Sequence, residues 1–73
     1  MTTVVQHIQI IVNGEPQTVQ AGLRISDLVS QWELNPQRLA IEYNWQILTR
    51  ALWPETAVKE GDRLEIVHFV GGG

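Results

Sequence analysis

The stretch Ile8-Gln9-Ile10-Ile11-Val12-Asn13-Gly14 decides the fold. Ile8, Ile10 and Val12 fall on one side of an extended chain, with His7, Gln9 and Ile11 on the other. Alternation of period two marks a strand with one buried face. Asn13-Gly14 then closes it, because a two-residue hairpin turn needs positive φ at both positions, which asparagine and glycine tolerate best. Gln17-Thr18-Val19-Gln20 is the returning strand.

Outward from this hairpin the period changes. Past Gly22, the residues Ile25, Leu28, Val29 and Trp32 recur at i, i+3, i+4 and i+7, one face of a helix. Arg24 is a poor cap, so Ser26 or Asp27 is expected to begin the helix. Pro36 stops it and pushes Asn35 toward an extended shape. Period two returns through Leu39, Ile41 and Tyr43. A turn at Asn44-Trp45-Gln46 leads to the short apolar segment Ile47-Leu48, and Pro54 closes an irregular stretch. Glu60-Gly61-Asp62 reads as a turn before a last strand from Arg63 to Val70, in which Leu64 and Ile66 alternate against Arg63, Glu65 and Val67.

Strand, strand, helix, strand, short strand, strand is the order of a two-layer α+β domain. The first and last strands are too far apart in sequence for a hairpin, and a parallel central pair satisfies their hydrogen bonds. The expected fold is therefore a β-grasp, the ubiquitin-like arrangement, with a mixed sheet of four to five strands packed on one helix. Residues 1–70 are expected to form the domain and residues 71–73 a flexible glycine tail. Trp32 is expected in the core and Trp45 outside it.

Composition narrows what such a domain can do. Seventy-three residues bury roughly 60% of the surface the unfolded chain exposes, and a core this small supplies only about 3–5 kcal/mol. The chain has no cysteine, which excludes disulfides and thiolate metal sites. His7 and His68 have no ligand spacing around them, so no metal is expected. The five basic residues, Arg24, Arg38, Arg50, Lys59 and Arg63, are scattered in a chain of net charge −3, without the cationic stripe that nucleic acid requires. No secretory leader or membrane span is expected from Met1–Gln9 or from the longest aliphatic run, Ile10-Ile11-Val12, so the expected location is the cytoplasm. Ser26 and Ser30 have no base nearby in sequence, and no catalytic constellation is visible.

The end, Phe69-Val70-Gly71-Gly72-Gly73, is the unusual feature. Glycine weakens strands, so three in a row after a strong strand call for a reason. Without Cβ atoms such a tail can thread a narrow channel in a partner enzyme. Val67 and Phe69 share parity with Arg63 and Glu65, opposite the core pair Leu64 and Ile66. The outward side of the last strand is thus an expected partner surface, continued by Val70, Gly71 and Gly72.

Val58 to Gly73, with the Gly61-Asp62 turn, the Glu65-Ile66-Val67 strand and the Phe69-Val70-Gly71-Gly72 tail, closely resembles the C-terminus of the ThiS family. Ile10-Ile11-Val12-Asn13-Gly14, Gly22, Asp27-Leu28, Asn44, Arg50 and Trp53 follow the family's usual order. Arg24 and Thr49 depart from it, standing where the family often has Ser or Thr and Pro. The resemblance implies a sulfur carrier for thiamine (thiazole) biosynthesis, not an enzyme. A ThiF-type adenylyltransferase would use ATP to activate the Gly73 carboxylate as an acyl-adenylate. A sulfur donor such as a cysteine desulfurase would turn it into a thiocarboxylate, and thiazole synthase (ThiG) would accept the sulfur. The chain itself would bind no cofactor. The small subunit of molybdopterin synthase shares this chemistry, but its tails commonly carry proline where Val67-His68-Phe69-Val70 has none. A ubiquitin-like modifier joined to target lysines is the other alternative.

Overall fold

A computed structural model describes residues 5–70. Strand β1 (His7–Val12) turns through Asn13-Gly14 into β2 (Glu15–Gln20). The register pairs Val12 with Glu15 across two turn residues, and φ of 50° at Asn13 and 81° at Gly14 are the positive values this hairpin needs. Pro16 is tolerated in β2 because that strand lies at the sheet edge. After α1 (Ile25–Gln31) and a short 3-10 helix at Pro36–Arg38, β3 (Leu39–Tyr43) turns into β4 (Gln46–Ile47). A second 3-10 helix, Arg50–Glu55, precedes β5 (Arg63–His68).

The sheet order is β2-β1-β5-β3-β4. The chain's first and last strands pair in parallel at its centre, with Ile11 opposite Arg63 and Val12 opposite Leu64. β5 runs antiparallel to β3, with Ile41 opposite Ile66. α1 covers one face, and Ile10, Ile25, Leu28, Ile41 and Leu64 are its fully buried residues. This is the expected β-grasp.

Four local expectations are corrected. The cap of α1 is Arg24 itself, extended at φ −91° and ψ 160°. Asp27 serves three residues on, its carboxylate accepting from the Arg24 backbone N–H at 2.8 Å. The Arg24 guanidinium meanwhile donates to the Pro54 carbonyl at 2.9 Å, so this departure ties the helix start to the second 3-10 helix. Trp32 ends α1 as its C-cap and is only partly buried against the core. The core tryptophan is Trp53, 4% exposed, in the stretch expected to be irregular. Its indole N–H donates to the Leu48 carbonyl at 3.1 Å. Finally, β5 ends at His68 rather than Val70, because its partner β3 begins at Leu39 after a 3-10 turn. One further bond, from the Phe69 N–H to the Arg38 carbonyl at 2.8 Å, holds the chain beyond the strand.

Candidate functional site

The site is built on the direction of β5, and three side chains outside that strand fix it. Asp62, buried just before the strand, is the first. Its carboxylate accepts from the Tyr43 hydroxyl at 2.7 Å, the Asn44 amide at 3.2 Å and the Lys59 backbone N–H at 2.7 Å. A buried carboxylate needs such donors to remain in place. Burial, with the hydrogen bond to Asp62 and the negative charge of that carboxylate, pushes the Tyr43 hydroxyl up to about 12.

Asn44 and Asn13 are the other two, one on each flank. Asn44 Oδ1 accepts from the Arg63 N–H at 2.9 Å, and the Asn44 N–H donates to the Arg63 carbonyl at 2.8 Å. On the opposite flank Asn13 reaches Ile66: Oδ1 accepts from its N–H at 2.7 Å and Nδ2 donates to its carbonyl at 3.3 Å. Both asparagines sit at hairpin turns with φ of 50°. Each turn thus closes its own hairpin and holds β5. Nothing local in the sequence signals this, since Asn13 and Ile66 are 53 residues apart.

Past this grip the chain becomes exposed. Val67 is 55% exposed, Phe69 54% and Val70 98%. Val67 lies opposite Ala40, Glu65 opposite Glu42, and Ile47 beside Glu42 at the sheet edge. Ile47 is 68% exposed. The outward face of the β5–β3–β4 ladder is therefore mixed, with the charged Arg63, Glu65 and Glu42 beside the apolar Val67, Ala40 and Ile47, and Val67, Phe69 and Val70 are exposed just before the chain end. Gly71, Gly72 and Gly73 lie outside the described residues.

His7 opens β1 and His68 closes β5, both exposed, while Ser26 and Ser30 lie on α1. No group of three or more His, Asp or Glu side chains that could hold a metal occurs among the described residues. No described helix is long and apolar enough to cross a membrane.

Known proteins match this arrangement. A Paramagnetospirillum magneticum protein named thiazole synthase is 32% identical over 66 residues, which cover 90% of this chain and 20% of that one. The chain thus spans about a fifth of that relative's length. The Bacillus subtilis sulfur carrier protein ThiS is 37% identical over 49 residues, 67% of this chain and 74% of the relative. The crystal structure of the thiamine biosynthesis protein ThiS from Geobacter metallireducens superposes with a TM-score of 0.79 at 33% identity, covering 90% of this chain and all of that one. The family model described as ThiS matches residues 10–73, almost the whole domain and the three glycines. With the family model matched over residues 10–73 and the fold shared with a ThiS structure at 33% identity, the chain belongs to the ThiS family.

Proposed function

We propose that this chain is a sulfur carrier of thiamine (thiazole) biosynthesis, with the carboxylate of Gly73 as its reactive group. The observation that carries the reading is the course of β5. Gripped at Arg63 and Ile66 by the two turn asparagines, it leads to exposed Val67, Phe69 and Val70, which three glycines follow in the sequence. A domain with exposed apolar side chains just before its tail in the sequence is suited to dock on a partner and feed the tail into a narrow site. The tail's glycines let its backbone pass where any Cβ would strike the walls.

In this reading the Gly73 carboxylate attacks the α-phosphate of ATP on a ThiF-type adenylyltransferase. A C–O–P anhydride forms and pyrophosphate leaves. Sulfur from a persulfide, supplied by a donor such as a cysteine desulfurase, displaces AMP. Reduction of the S–S bond by a thiol leaves a thiocarboxylate. Thiazole synthase is the acceptor, and a relative of that name holds a segment similar to this chain. The chain is a substrate in each step rather than the catalyst, and it works in the cytoplasm alongside these enzymes.

The test is positional. One alanine added after Gly73 moves the carboxylate by up to about 3.3–3.6 Å, more than an in-line attack can absorb. Gly72→Val instead places a branched side chain in the channel. Both variants are expected to fold and to lose ATP-dependent pyrophosphate release with the adenylating enzyme. Release at the native rate from both would overturn the reading.

A further inference from the structure

Two hairpins in this fold close on the same two-residue turn, and only one closes on glycine. Asn13-Gly14 has φ of 50° and 81°, and Asn44-Trp45 has 50° and 75°. The second position of this turn belongs to glycine, because a left-handed backbone brings Cβ against the neighbouring carbonyl. Trp45 carries that strain while 70% exposed, so burial does not offset it. Glu33, also left-handed at φ 55°, differs: it closes α1 through the bonds Glu33 N–H to Ser30 O, 3.1 Å, and Leu34 N–H to Val29 O, 2.9 Å.

What Trp45 does touch is Arg63, whose guanidinium carbon lies 4.7 Å from the centre of the indole. The stacking itself is attractive, but Arg63 Nε is buried with no hydrogen-bond partner among the described residues. A left-handed backbone at Trp45 and an unsatisfied nitrogen on Arg63 thus meet beside one exposed aromatic side chain. Strain kept at an exposed position points to use rather than to packing. Arg63 shares its strand face with Glu65 and Val67, and stacking on it puts Trp45 on that outward face. Phe69 lies six residue steps beyond Arg63, about 20 Å along an extended chain.

We propose that Trp45, stacked on Arg63, is the far anchor of this docking face. It seats in an apolar pocket of thiazole synthase with an acceptor oxygen at its rim for the indole N–H. The inference rests on the carrier reading. Its occupant is chosen because the Paramagnetospirillum magneticum thiazole synthase contains a segment similar to this chain, which joins the two kinds of domain in one protein. Large aromatic side chains are the usual anchors of such faces.

The experiment compares the native chain with Trp45→Gly and Trp45→Tyr in the full 73-residue protein. It measures thermal midpoint, calorimetric affinity for thiazole synthase of the same source, and affinity for the adenylating enzyme. Glycine relieves the turn while the stacking on Arg63 is lost, so the midpoint of Trp45→Gly is expected to stay within about 4 °C of the native value. Its affinity for thiazole synthase is expected to fall at least about tenfold, and tyrosine should keep most of the native affinity. A glycine variant that binds as tightly as the native chain overturns the inference, as does one whose midpoint falls by more than about 8 °C, which would make Trp45 a prop of the fold. Affinity lost for the adenylating enzyme alone also overturns it, since the occupant is then the wrong one. A native chain that binds neither enzyme sinks the carrier reading, and this inference with it.

Discussion

Asn13 holds both polar atoms of the Ile66 backbone with one side chain, accepting from its N–H at 2.7 Å and donating to its carbonyl at 3.3 Å. β1 has already turned away at this level, and the amide takes the place of the next ladder residue. The last strand thereby keeps its heading up to the residues before the tail. Asn13→Ala removes two hydrogen bonds and the side chain best suited to the left-handed turn. It should lower stability by about 2 kcal/mol. Asn13→Asp keeps the acceptor and the turn preference and should fall between the two. Urea midpoints of the three proteins check the order.

Trp53 and Trp32 offer a second contrast. Trp53 is buried with its indole N–H bonded to Leu48, and removing such a side chain costs about 3–5 kcal/mol. That matches what a core of this size supplies. Trp53→Ala should therefore be largely unfolded at room temperature by near-ultraviolet circular dichroism. Trp32, partly exposed at the end of α1, should cost only about 1–2 kcal/mol on the same change, and Trp32→Ala should remain folded.

Tyr43 makes stability depend on alkaline pH. Its folded value of about 12 lies above the ordinary 10.0, so the native state holds the phenolic proton more tightly than the unfolded chain does. The stabilisation is complete below pH 10.0 and is lost as pH rises from there toward about 12. Denaturant midpoints should fall across that window. Tyr43→Phe, which leaves Asp62 its bonds to Asn44 and Lys59, should remove this contribution to the fall.

Phe69 lies past the end of β5, and only its backbone is tied, to Arg38. Phe69→Ala should change stability by no more than about 0.5 kcal/mol. Its affinity for the adenylating enzyme should drop by about tenfold, as for an exposed aromatic anchor. A large loss of thermal stability would instead make Phe69 part of the domain's packing.

How much of this was legible beforehand follows from where each signal lives. The Asn13-Gly14 turn, the alternating strands and the Ile25/Leu28/Val29 stripe are local patterns, and they gave the β-grasp with its parallel central pair. The exposure of Val67 and Phe69 followed from parity alone. Trp53 escaped because a 3-10 helix containing Pro54 has neither period, and its burial depends on docking beneath α1. The role of Arg24 escaped because its guanidinium partner, Pro54, is 30 residues away. Alternation ran on to Val70 in the sequence, yet β5 ends at His68, where β3 no longer offers a partner. The grip of Asn13 and Asn44 on β5 leaves no sequence trace beyond an asparagine at each hairpin.

The central claim is that the end of this chain carries sulfur. The most direct test is the intact mass of the native 73-residue chain after incubation with the adenylating enzyme, ATP, a cysteine desulfurase, cysteine and a thiol. The account predicts a gain equal to sulfur replacing one oxygen, located on Gly73 by fragmentation and absent when ATP is withheld. An unchanged mass under conditions that convert an established ThiS protein would contradict it, as would sulfur found anywhere but the terminal carboxylate.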